Sequence, residues 1–146
     1  MNILDTGIKN VRNVLRYTIG AGSLAELPQL LEPRRAIHDG PILFFIDEFF
    51  KTRPDIVASF YLNRNDSVFY IPTDNEPSTD QVDQIVTKLH NDGLTEPSTI
   101  VAMGGGITLD VGKAVANLLT NGGRAEDYQG WDLVKLPAIY KVAVPT

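Results

Sequence analysis

The 146-residue chain contains no cysteine and only two histidines, His38 and His90. The missing thiols exclude a disulfide framework, a cysteine-ligated zinc or iron–sulfur site and a thiol nucleophile, and they suit a reducing compartment. Two imidazoles so far apart do not make a metal site, and His90, near a helix end, reads as a dipole-compatible surface residue. A basic excess is missing too: 13 Lys and Arg stand against 18 Asp and Glu, a formal net charge of -5. With that charge spread along the chain there is no footprint for a phosphate backbone, and nucleic-acid binding is disfavoured. No apolar run approaches the ~18 residues of a membrane span. The longest, residues 41–46, is strand-sized and closed by Asp47. Asp5, Lys9, Arg12 and Arg16 break up the N-terminus, which lacks a signal-peptide pattern, so the expected location is cytoplasmic with no membrane partner.

What is present is a regular alternation of elements. Branched and aromatic residues at 14–19, stopped by Gly20 and Gly22, predict a strand. A helix is expected next, with Ser23 as N-cap, Glu26 as its capping-box partner and Leu24, Leu27, Leu30 and Leu31 as an apolar stripe ahead of Pro33. Residues 41–46 are apolar without alternation, the pattern of a strand covered on both faces. Ile56, Val57, Phe60 and Tyr61 are spaced for a short helix, and residues 67–71 for a third strand. Ser78 and Gln81 then cap the clearest helix, with Val82, Ile85, Val86 and Leu89 on one face and Gly93 at its end. A fourth buried strand, residues 99–103, runs into Gly104, Gly105 and Gly106. Val111, Ala114, Val115, Leu118 and Leu119 mark the helix after it, and residues 139–144 form the last strand. This order predicts one α/β domain, an open parallel sheet with helices on both faces. Its one long irregular stretch, about residues 124–138, holds Trp131 in polar surroundings; such stretches are more often functional or partner-covered than idle, with a plain surface loop as the other reading.

In an open parallel sheet ligands bind outside the carboxyl ends of the strands. Asp47, the glycine triplet and Thr146 all fall at such ends. Three glycines between a buried strand and a helix let main-chain N–H groups approach an anion with no Cβ in the way, and the helix dipole adds attraction for phosphate. A tight turn alone is the other reading, and the strong flanking elements favour the anion. Asp110 serves either a ligand or the helix dipole, and spacing weighs the two equally. Lys113 reads as a solvated surface residue unless it reaches back to an anion. Asp47 stands where dinucleotide folds hold a ribose, or is a turn acid beside Glu48. Gly20, Gly22 and Ala25 also satisfy G-x-G-x-x-A, a pattern short enough to arise by chance.

The run Gly104, Gly105, Gly106, Ile107, Thr108, Leu109, Asp110, Val111, Gly112, Lys113 resembles the G-G-G-S-x-x-D-x-x-K pattern of the iron-containing alcohol dehydrogenases, the family of glycerol dehydrogenase and dehydroquinate synthase. A Tyr-x-Gly loop at Tyr128 and a strand ending in Pro145 and Thr146 extend the resemblance over essentially the whole chain, as the N-terminal half of a family member. It implies a Rossmann-like nucleotide-binding domain over residues 1–146 and a helical domain beyond it carrying the metal ligands. It also implies NAD as cofactor, a divalent metal (iron or zinc) bound elsewhere, and a small alcohol or sugar substrate in a homo-oligomeric enzyme. The implied cofactor-binding set is Asp47, Gly104, Gly105, Gly106, Ile107, Asp110, Lys113 and Thr146. The pyrophosphate would rest on the glycines and the adenosine ribose on Asp47, with Asp110 and Thr146 on the nicotinamide side. A carboxylate at the ribose favours NAD over NADP. Ile107 departs from the family's Ser and loses a hydroxyl; whether Thr108 takes its place is a question for the structure. Residues 128–135 resemble most the branch that oxidises the C8 hydroxyl of 3-deoxy-manno-octulosonate, an acidic lipopolysaccharide sugar. The alternative reading is a stand-alone, non-catalytic module for a nucleotide or sugar phosphate, which the reading frame beyond Thr146 separates from the enzyme.

Overall fold

The computed structural model describes residues 14–146. Four strands, β1 (Ile42–Asp47), β2 (Ser67–Ile71), β3 (Thr99–Gly104) and β4 (Lys141–Pro145), alternate with helices α1 (Leu27–Ile37), α2 (Pro54–Ala58), α3 (Thr79–Asn91) and α4 (Gly106–Asn121). All strand pairs are parallel, in the order β2-β1-β3-β4. The chain leaves β1 in one direction for β2 and returns on its other side as β3, so the carboxyl ends of β1 and β3 flank the crevice where the winding reverses.

The unalternating apolar strands are explained by burial from both sides. Leu43 and Phe45 of β1 point into a core shared with Val82 and Leu89 of α3 and Val111 and Val115 of α4. Ile42, Phe44 and Ile46 point the other way, onto Leu27 and Leu31 of α1 and onto Phe60, whose ring stacks on Phe44 at 5.6 Å. The open parallel sheet with helices on both faces is thus observed. In α3 the Ser78 Oγ accepts the Gln81 N–H at 3.1 Å. At its far end the Leu94 N–H reaches the Leu89 carbonyl and the Gly93 N–H the His90 carbonyl, a Schellman closure that needs the left-handed Gly93 (φ 71).

Several expectations are corrected. Residues 14–19 form no strand: among the described residues they have no partner strand, and Ile19 is left 88% exposed. Branched residues favour β geometry only where a neighbour accepts their hydrogen bonds. The Ser23 capping box is not made; Ser23–Glu26 is a 3-10 turn entered through a left-handed Gly22 (φ 82) with no side-chain cap. Helix α1 does not stop ahead of Pro33 but runs through it to Ile37. Proline breaks only the bond to the Gln29 carbonyl, and both residues are exposed, so water can take that carbonyl while Leu27 and Leu31 anchor the other face. Helix α2 ends at Ala58, short of Phe60 and Tyr61, which the spacing had included, and Tyr61 turns left-handed (φ 50).

The amino ends of the strands are fastened by Asp66. Its side chain, 1% exposed, pairs with Arg35 at 2.6 Å and accepts the Ile42 and Asn63 N–H groups at 2.9 and 2.8 Å. Burial pushes its carboxyl up, but the Arg35 guanidinium and the two amides outweigh burial and hold it below the usual carboxylate range. A carboxyl depressed in the folded state contributes stability above its unfolded value of about 3.9 and loses it as pH falls through the lower folded value. Asp66→Ala is therefore expected to cost about 3 kcal/mol at pH 7, and urea unfolding should show that difference shrinking below about pH 4.

Candidate functional site

The site grows from the way α4 meets β3. Gly112, inside α4, lies where an added Cβ would come within 2.8 Å of the Ala102 Cβ, so the helix packs on the strand more closely than any larger residue permits. At the top of the same contact Gly104 has φ 154, and an added Cβ there would fall 2.9 Å from the Asp47 Cβ and 2.8 Å from the Thr108 Oγ1. Gly105 and Gly106 differ: a Cβ on either meets nothing within 4 Å. Gly104 is a close-packed hinge between β1, β3 and α4, and the two glycines after it face open space.

Helix α4 begins at Gly106 with Gly105 as N-cap and no side-chain hydrogen bond to its first turn, and its first backbone bond runs from the Leu109 N–H to the Gly105 carbonyl. Where α3 is capped by Ser78, α4 leaves its leading N–H groups free at the positive end of a 16-residue helix. Around that end stand the other strand tips. Asp47 Oδ1 accepts the Phe49 N–H at 2.9 Å and the Thr73 hydroxyl at 3.4 Å, so this carboxylate does form the local turn and also lies beside Gly104. Thr146 donates its N–H to the Gly104 carbonyl at 3.2 Å. Asp47, Gly104, Gly105, Gly106, Ile107 and Thr146 therefore come together at the crevice between β1 and β3.

Asp110 and Lys113 lie on the opposite face of α4 from the sheet. They pair with one another at 2.7 Å, both well exposed, at the mouth of a groove of about 370 Å³ that Asn117, Tyr128 and Val134 continue. Asp110 sits one turn below Gly106 on the same helix face, and the Lys113 ammonium offsets a carboxylate that would otherwise oppose an anion above it. Asn121 closes the irregular stretch after α4, exchanging two hydrogen bonds with the Leu136 backbone at 3.0 and 2.9 Å. The Tyr128 hydroxyl donates to the Gly122 carbonyl at 2.9 Å. Trp131, between these ties, is 94% exposed. A hollow of about 420 Å³ between α1 and residues 60–63 lies with Asp66 at the other end of the sheet.

One residue at the crevice escaped the motif reading, and another has a place the motif did not reveal. Thr73 lies two positions past β2, and only the parallel register of β2 with β1 brings its hydroxyl to Asp47. Thr108 is completely buried beneath Gly104, so it does not present its hydroxyl at the surface in place of the serine that Ile107 replaces. Among the described residues no group of three or more His, Asp or Glu side chains converges to hold a metal, and this part of the chain does not fit one. Nor is any described helix long and apolar enough to cross a membrane.

An uncapped helix start at the reversal point of a doubly wound parallel sheet is the arrangement of the nucleotide-binding α/β domains. The chain belongs to the iron-containing alcohol dehydrogenase family, whose description matches residues 15–146. A 47-residue stretch, 32% of this chain and 12% of the other protein, is 43% identical to an NAD-dependent methanol dehydrogenase of Bacillus methanolicus. Among solved structures the fold is that of the alcohol dehydrogenase of Oenococcus oeni, with a TM-score of 0.71 and 19% identity over 88% of this chain and 33% of that one. It is likewise that of the sulfoacetaldehyde reductase of Bifidobacterium kashiwanohense in complex with NAD+, with a TM-score of 0.63 and 22% identity over 86% of this chain and 32% of that one. The chain spans about a third of the length of these solved relatives.

The distinction between the glycines can be tested by stability alone. Gly104→Ala, which forces a side chain into left-handed backbone and onto Asp47, should lower unfolding free energy by about 2 kcal/mol. Gly106→Ala should change it by less than about 1 kcal/mol, as read by chemical denaturation.

Proposed function

We propose that this chain is the NAD-binding part of a metal-dependent, alcohol-oxidising enzyme of the cytoplasm, homo-oligomeric when complete. The observation that carries the proposal is the uncapped start of α4 at the crevice between β1 and β3, with open space in front of Gly105 and Gly106. Main-chain N–H groups there suit a pyrophosphate, because they are aimed by the helix and already stripped of competing partners. Asp47, beside the turn, accepts from the hydroxyls of the adenosine ribose and disfavours the 2′-phosphate of NADP. Thr146 borders the nicotinamide side, and Asp110 and Lys113 set the charge on the helix below. The bound nicotinamide supplies the hydride acceptor, while this chain's residues hold and orient it. The divalent metal, iron or zinc, is assigned to a separate helical domain.

The names of two relatives, a methanol dehydrogenase and a sulfoacetaldehyde reductase, support interconversion of an alcohol and a carbonyl compound. The substrate class is a polyol or acidic sugar, and the C8 hydroxyl of 3-deoxy-manno-octulosonate is the narrower reading, resting on residues 128–135 alone. Calorimetric titration with NAD tests the site directly. The 146-residue chain should bind NAD more tightly than NADP, and Gly105→Val should weaken NAD binding by about tenfold or more, the worth of one or two hydrogen bonds to a charged group, with the melting temperature little changed. Equal affinity in the Gly105→Val chain contradicts the assignment.

A further inference from the structure

Thr108 combines complete burial with an unused hydroxyl: none of the residue is exposed, and its Oγ1 has no hydrogen-bond partner. A threonine within a helix ordinarily donates to the carbonyl four residues back. For Thr108 that carbonyl belongs to Gly104, which accepts the Thr146 N–H and has a second lone pair unused. Thr108 Oγ1 nevertheless lies against Gly104, 2.8 Å from where a Cβ on that residue would stand. The hydroxyl therefore packs against Gly104 and is bonded to nothing. The only other buried side-chain atoms without partners among the described residues are Thr99 Oγ1 and Arg34 Nε. Thr99 begins β3 and Arg34 bonds to the Ser98 carbonyl, both at the far end of the sheet.

A buried hydroxyl left without a partner destabilises the fold, and a valine of the same shape would not carry that cost. We propose that Thr108 is a positioning residue for the phosphate turn, its hydroxyl idle in the free chain and donating to the Gly104 carbonyl once a dinucleotide is seated. Negative charge in front of Gly105 and Gly106 draws their N–H groups outward. The turn pivots at Gly104, the residue with the backbone freedom to do so. That movement swings the Gly104 carbonyl onto the Thr108 hydroxyl below, so that the new bond holds the turn in its bound geometry. The proposal rests on the nucleotide reading of the site and adds to it a bond that exists only in the complex.

The test compares Thr108→Val and Thr108→Ser with the unaltered 146-residue chain, by thermal melting without ligand and by calorimetric titration with NAD. Thr108→Val should melt about 3 °C higher, a shift expected for relief of one unpaired hydroxyl in a chain of this size, yet bind NAD about tenfold more weakly. Thr108→Ser should retain most of the affinity. Stability and affinity moving in opposite directions is a result that a merely structural threonine does not produce. NAD affinity unchanged in Thr108→Val, or a lowered melting temperature in that variant, overturns the positioning role while the nucleotide site stands. Failure of the unaltered chain to bind NAD removes the nucleotide reading itself and this inference with it.

Discussion

The close approach of α4 to β3 is the contact from which the rest of the site follows. It is made possible by side chains that are missing: Gly112 lets the helix lie on Ala102, and Gly104 lets the strand turn against Asp47 and Thr108. Packed this way, the helix axis delivers its first N–H groups to the crevice between β1 and β3 rather than to open solvent above the sheet. A helix displaced outward by even one methyl group would still fill the core with Val111, Val115 and Leu118 but would carry its positive end away from the Asp47 and Thr146 tips. Core packing and site geometry are thus two consequences of the same glycine spacing.

This arrangement explains why the turn contains three glycines of unlike character. Gly104 is required by backbone conformation and crowding, which are matters of stability. Gly105 and Gly106 have room for a side chain and no left-handed backbone, so packing gives no reason for them. Access to the main chain does give one. The caps differ in the same way: Ser78 satisfies α3, and no side chain satisfies α4. The electrostatics agree with this division, since Lys113 pairs with Asp110, the carboxylate in the opening turns of α4.

Much of this was legible in the amino-acid order, and the failures have physical causes. Strands β1, β2, β3 and β4 were readable because burial on both faces, or a run of branched residues, is a local pattern. The glycine triplet, Asp47 and Thr146 were readable because they terminate those strands. Residues 14–19 misled because strand propensity does not reveal whether a partner strand exists. Pro33 misled because a proline on the solvent side of a helix is tolerated when the opposite side is anchored. The order β2-β1-β3-β4 and the contact of Thr73 with Asp47 depend on pairing between distant segments. The outward pairing of Asp110 with Lys113 needed the orientation of α4, which the spacing of the motif does not supply. Family membership is shown over residues 15–146, and these residues amount to about a third of the solved relatives.

The central claim is that the opening amides of α4 receive the negative charge of the dinucleotide. The most direct measurement is an amide proton–nitrogen correlation spectrum of the isotopically labelled chain recorded during addition of NAD. The account predicts that the resonances of Gly105, Gly106 and Ile107 move furthest and to lower field, as amide protons do on donating to an anion, with smaller movements at Asp47 and Thr146. Resonances at 105–107 that stay in place while those elsewhere, such as the hollow beside α1, respond to saturating NAD would contradict it.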